Sequence, residues 1–253
     1  GIGMGITGTD VTKNVADMVL ADDNFATIIS AVAEGRRIYD NIRKAIQFLL
    51  SSNLAEVFAI FISSILGFTI LKPVHLLWIN LITDCFPAIG LGMEEAEKDI
   101  MKRKPRNPED SIFADGVGFE VVFQGFLIAV LTLVAYFVGH YMESGMWEIA
   151  DSADGMTMAF LTLSLLEIFH SFNMRSRNDS IFNIKTKNPV LLGSLMTSFV
   201  LTTSVIYVPF LREAFSFEFI SLKEYIVAIV IAIFIIPIIE LQKKIKRIRN
   251  NKK

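Results

Sequence analysis

Six stretches of the chain run almost unbroken in apolar residues, over positions 45–68, 74–93, 117–141, 156–172, 190–210 and 225–241. At 1.5 Å per residue each is long enough, as a helix, to cross a hydrocarbon core of about 30 Å. The pattern predicts an all-α membrane protein, a bundle of six transmembrane helices. Residues 1–40 follow another rule. Small and polar residues alternate there with short apolar runs such as Met18-Val19-Leu20, and a helix predicted over 24–42 feeds straight into the first span. The chain therefore divides into a leading segment, 1–40, and a membrane domain, 41–253.

Composition agrees with the pattern. Hydrophobic residues make up 53%, Phe outnumbers Trp 21 to 2, and the mean hydropathy is +0.51, beyond what a soluble core of this length needs. The single cysteine, Cys85, excludes an intramolecular disulfide and an all-cysteine zinc site. The net charge of -2 says little, because the charges are segregated along the chain. All but Lys72, Arg212 and Lys223 of the 24 basic residues fall before the first span, after the second, after the fourth or in the tail. An even number of spans puts both ends on one side, and the positive-inside rule makes that side cytosolic. No signal peptide precedes the first span, and an opening Gly1-Ile2-Gly3 without an initiator methionine reads as a piece cut from something longer. The tail reads as a topology anchor, with attraction to anionic lipid as a lesser alternative. Membrane lipid is the expected partner, and no nucleic acid is.

Few polar residues interrupt the spans, so each is informative. Asn53 and Glu56 are three apart near the middle of the first; Asn80, Thr83 and Asp84 follow an i, i+3, i+4 spacing in the second. Glu167 sits about three residues, or about 4.5 Å, from the centre of the fourth. All three sets occupy similar depth, as a shared site requires. An ionisable group in hydrocarbon costs several kcal/mol without a partner, so each is a functional candidate. Amide, hydroxyl and carboxylate oxygens suit Ca2+ better than zinc or copper. Pro87 lacks the N–H that would bond the carbonyl of Thr83, which leaves that carbonyl available to a cavity or an ion. Plainer roles are open: Asn53 and Thr83 as interhelical hydrogen bonders, Glu56 and Glu167 as protonated or proton-carrying groups, Cys85 as packing. His75, His140 and His170 lie near span ends and read as interfacial.

Gly3-Met4-Gly5-Ile6-Thr7-Gly8, with Asp22 and Asp23 further on, matches the dinucleotide fingerprint in letters. Only two residues precede Gly3 where a full strand is needed. Turns and a strand edge explain these glycines more simply.

Beyond single residues, whole segments resemble a family. Ser51-Ser52-Asn53-Leu54-Ala55-Glu56 and Leu77-Trp78-Ile79-Asn80-Leu81-Ile82-Thr83-Asp84 are similar to the fifth and sixth transmembrane helices of P-type calcium ATPases, most closely the sarcoplasmic-reticulum type. Met156-Thr157-Met158-Ala159 leading to Glu167 resembles their eighth helix. Met18-Val19-Leu20-Ala21-Asp22-Asp23-Asn24-Phe25 resembles the end of their α/β phosphorylation domain, and Lys104-Pro105-Arg106-Asn107-Pro108 the loop between helices six and seven. The resemblance implies helices five to ten of such a pump, behind a remnant of the phosphorylation domain and a stalk. It implies one calcium site lined by Asn53, Glu56, Thr83, Asp84 and Glu167, and a second to which Asn80 and Asp84 contribute. It further implies Ca2+ as the transported ion, with ATP and Mg2+ used only by the full-length protein. The missing N-terminal portion, which carries the phosphorylated aspartate and the nucleotide domain, is then the obligate partner. Cys85 departs from the glycine of the animal pump. Short loops and a basic Asn/Lys-rich tail point to a bacterial plasma membrane. Two alternatives use the same carboxylates: a pump for another cation such as Mn2+ or Na+, and a secondary cation/proton transporter, although no internal repeat relates the halves. A non-catalytic scaffold would explain six helices but not depth-matched carboxylates.

Overall fold

A computed structural model describes residues 1–97, 100–107 and 109–250. The basic residues Lys98, Lys252 and Lys253 and the motif residue Pro108 lie outside the described residues. The chain opens with β1 (Ile2–Met4), α1 (Asp10–Val15) and β2 (Met18–Leu20). The two strands are parallel, with Gly3 opposite Val19. Thr9 caps α1, its hydroxyl accepting from the Thr12 N–H. Asp23 ties the unit together: its carboxylate accepts the N–H groups of Ile6 at 2.8 Å and Thr7 at 2.7 Å, which hold its pKa below the ordinary value. Asp22 likewise accepts from Asn24 and Thr27. The acids that a ribose would need are thus engaged by their own loop.

Helix α2 (Ala26–Leu66) is one element of 41 residues, about 60 Å long. The expected stalk and first span are continuous in it, with no break at residue 40. It stops at Gly67, whose φ of 85° permits the left-handed cap that bonds its N–H to the Ser63 carbonyl. The second span comprises α3 (Pro73–Trp78), a π-helical turn over Ile79–Asp84 and α4 (Cys85–Gly92). Then follow α5 (Val117–Ser144), α6 (Ala153–Asn173), a short 3-10 turn over Ile181–Asn183, α7 (Pro189–Tyr207), α8 (Pro209–Ala214), α9 (Leu222–Ile233) and α10 (Ile235–Asn250). Among the described residues six helical spans are long and apolar enough to cross a membrane, with α9 and α10 together forming the last. The fifth span ends at Tyr207, ahead of Pro209. Pro237 has no N–H for the Ile233 carbonyl, and the last span is interrupted at Phe234. It then runs on as helix through the basic residues to Asn250.

Helix α6 is the hub. Every residue from 155 to 168 is buried, so this helix meets protein on all sides. Small residues let its neighbours approach: a Cβ placed on Gly139 of α5 would lie 2.8 Å from the Met158 side chain of α6. Between α4 and α7, a Cβ on Gly90 would fall 2.6 Å from the Leu191 Cα. Backbone cannot yield as a side chain can. Gly90→Ala is therefore expected to destabilise the protein by about 1–3 kcal/mol, seen as a lower melting temperature in detergent; an unchanged one would contradict the close crossing.

His75 and His170, near the ends of their spans, are wholly buried in protein: His75 stacks on Phe217 and hydrogen-bonds the Phe215 carbonyl, and His170 bonds the Ser51 hydroxyl at 3.1 Å. One expectation about a single residue is corrected. Cys85 does not pack; it is exposed on the bundle surface.

A second polar centre ties the helix ends together on the basic side. Glu94, 3% exposed, accepts from Arg175 at 3.1 and 2.7 Å and from Asn188 at 2.9 Å. Its backbone carbonyl accepts from Asn41 at 2.7 Å. Glu94 thereby joins the segment after α4 to the α6–α7 connection through its carboxylate and to α2 through its backbone carbonyl. Lys243, assigned to the tail anchor, is instead buried and donates at 2.7 Å to the Asn173 carbonyl at the end of α6.

Candidate cation site

Three helices bring their acids to one level. Glu56 of α2 is 7% exposed, Asp84 at the end of the π turn 1%, and Glu167 of α6 fully buried. The Asn80 amide N–H group donates to both Glu56 oxygens at 3.1 Å, and also to the Leu76 carbonyl at 2.9 Å. The Thr83 hydroxyl lies 2.6 Å from Oε2 of Glu167 and 3.0 Å from the Ile79 carbonyl. The second span thus links to the first through Asn80 and to the fourth through Thr83.

The π turn explains how one short stretch can face both neighbours. In it the Cys85 N–H reaches the Asn80 carbonyl, five residues back, and the extra residue widens the turn that carries the site. Pro87 lies just beyond. In a regular α-helix the carbonyl freed by Pro87 is that of Thr83; here the Ser198 hydroxyl of α7 donates at 2.8 Å to the carbonyl of Ile82, five residues before the proline. With five-residue spacing, the carbonyl that a proline leaves open shifts by one, and a neighbouring helix supplies its donor.

Several polar atoms here have no protein partner. Both Asp84 oxygens, Oε1 of Glu167 and the Ser52 hydroxyl are buried without a hydrogen bond. A buried carboxylate without donors is costly unless a cation or a proton compensates it. Asn53 is apart from this group: exposed beside Leu50 and Val57, its amide donates to the Leu49 carbonyl of its own helix at 2.7 Å. Among the described residues no three His, Cys, Asp or Glu side chains stand close enough to hold one metal ion together. The acids share a level and are bridged by Asn80 and Thr83 rather than closed on one point. Ser52 and Ser164, which are not among the expected site residues, are both buried with hydroxyls that have no hydrogen-bond partner. Their spacing carried the signal, since they stand four residues before Glu56 and three before Glu167, on the same helix faces.

Six apolar spans packed around a buried acidic level define a multi-pass α-helical membrane protein with a polar site inside the bundle. The chain belongs to the family described as cation transporting ATPase, C-terminus, which matches residues 68–245. It is 41% identical over 251 residues to calcium-transporting ATPase 1 of Bacillus cereus, covering 94% of this chain and 28% of that protein. To a calcium-transporting ATPase of Bacillus subtilis it is 43% identical over 216 residues, covering 85% and 24%. With the endoplasmic reticulum-type calcium-transporting ATPase 2 of Arabidopsis thaliana the identity is 34% over 307 residues, covering 100% and 29%. The chain thus spans about a quarter of the length of these relatives.

Proposed function

We propose that this chain is the ion-binding membrane half of an ATP-driven Ca2+ export pump of the P type. The observation that carries this is the buried level of Glu56, Asp84 and Glu167, in which both Asp84 oxygens and Oε1 of Glu167 have no hydrogen-bond partner. Hard oxygen ligands of this kind suit Ca2+, which takes six to eight of them. Its relatives' names, calcium-transporting ATPases, support the same ion. In this reading Asp84 is the central ligand, with Glu56 and Glu167 oriented for the ion by Asn80 and Thr83. Asn53 lies on the uncovered face of α2, where a further helix of the pump would complete the shell. Residues 1–40 end the phosphorylation domain, and α2 transmits its movement to Glu56 as a single rigid rod. ATP and Mg2+ act only in the rest of the pump, which is the obligate partner alongside lipid and the transported cation. Both termini are cytosolic, since the basic residues gather on their side, and the membrane is a bacterial plasma membrane.

The test is uptake of radioactive calcium by inside-out vesicles carrying the full-length protein, with Mn2+ and Na+ as competitors. ATP-dependent uptake that only excess Mn2+ reduces is expected. Uptake driven by a proton gradient without ATP would refute the pump.

A further inference from the structure

The stalk part of α2, the connection that follows α4 and the end of α10 enclose a cavity of about 1000 Å³, well away from the acidic level. Among the described residues that line it, eight side chains are cationic and three are carboxylates. Several of those cations are held in place without being neutralised. Arg36 donates to the backbone carbonyls of Ile100 at 2.7 Å and Arg103 at 2.9 Å. Arg106 lies 4.3 Å over the Tyr39 ring and donates to its hydroxyl and to the Asp110 carbonyl. Lys104 and Arg249 have no acidic partner among the described residues. Deeper in, Arg177 and Lys246 share the single carboxylate of Glu120. Arg43 pairs with Asp115 at 3.2 Å while its buried Nε has no partner.

Carbonyls and rings fix a guanidinium without cancelling its charge, so these groups repel one another across the cavity. A multivalent anion relieves that repulsion, and preset guanidinium forks match phosphate oxygens. We propose that this cavity is a binding site for a phosphate-bearing anion. Its place beside the start of the spans fits a lipid headgroup: on α10, exposed Ile245 and Ile248 alternate with Lys246 and Arg249, as on a helix that lies at a membrane surface. A free phosphate compound carries the same chemistry.

The experiment uses the full-length protein in phosphatidylcholine nanodiscs. In one arm phosphatidic acid is added to the discs and retained lipid is counted by native mass spectrometry. In the other, soluble pyrophosphate is titrated by calorimetry. Saturable binding near one equivalent is expected in at least one arm, weakened about tenfold in the exposed double variant Lys104→Gln/Arg249→Gln. Binding only in the first arm identifies lipid, and binding only in the second a soluble anion. The control Lys102→Gln/Lys244→Gln removes the same charge outside the cavity and should bind like wild type. Equal weakening by the control, no effect of the cavity variant, or no binding in either arm would overturn the proposal. Neither arm requires calcium transport, so the outcome is independent of the pump reading.

Discussion

Asp84→Asn in the full-length protein is expected to abolish calcium-dependent phosphorylation from ATP and to weaken calcium binding at least about hundredfold, in line with removing one partner of a buried charge pair. The reason lies in its surroundings. Both oxygens are buried without a hydrogen bond of ordinary geometry, and the neighbouring Ser52 hydroxyl is neutral, so no cation of the protein offsets the carboxylate. An amide of the same shape keeps the packing and removes the charge. In calcium chelator the variant should therefore melt at the wild-type temperature or above it. A structural acid would behave in the opposite way, since its loss would lower the melting temperature and leave calcium response intact. Undiminished phosphoenzyme at micromolar calcium would sink the assignment of Asp84 as central ligand.

Arg175→Ala is expected to be the most destabilising single change, at about 3–5 kcal/mol. The substitution removes the two guanidinium bonds to Glu94 and leaves a carboxylate that is 3% exposed with Asn188 and a long contact to Thr186. The segment after α4 and the α6–α7 connection are joined through this pair, so that end of the bundle loosens. Removing both partners should be milder, because no unpaired charge remains: Glu94→Gln/Arg175→Met is expected to recover most of the lost stability. Thermal melts of the three variants in one detergent provide the check. A wild-type melting temperature for Arg175→Ala would mean that the pair is screened by solvent and carries no load.

Much of this architecture is legible in linear order because membrane insertion depends on local quantities. Length and apolarity decide which segments can span, and all six expected spans correspond to helices, two of which end a few residues early where Gly67 and Pro209 intervene. Glu56, Asn80, Thr83, Asp84 and Glu167 stood out for the same reason, since a polar group in an apolar run is conspicuous in one dimension. Depth can be counted along a helix. Direction around it is harder to read: Asn53 and Glu56 are three residues apart, yet one faces outward and the other inward.

The sequence by itself determined the span count, the depth of the acids and the separation of the basic residues, because each depends on the solvent that a segment meets. Only the tertiary structure decided which helix is enclosed, which carbonyl Ser198 satisfies, that Glu94 and Lys243 are internal ties, and that scattered cations surround one cavity. Those facts depend on neighbours distant in sequence, whose contacts are set by the packing of whole helices and leave no periodic mark on either partner.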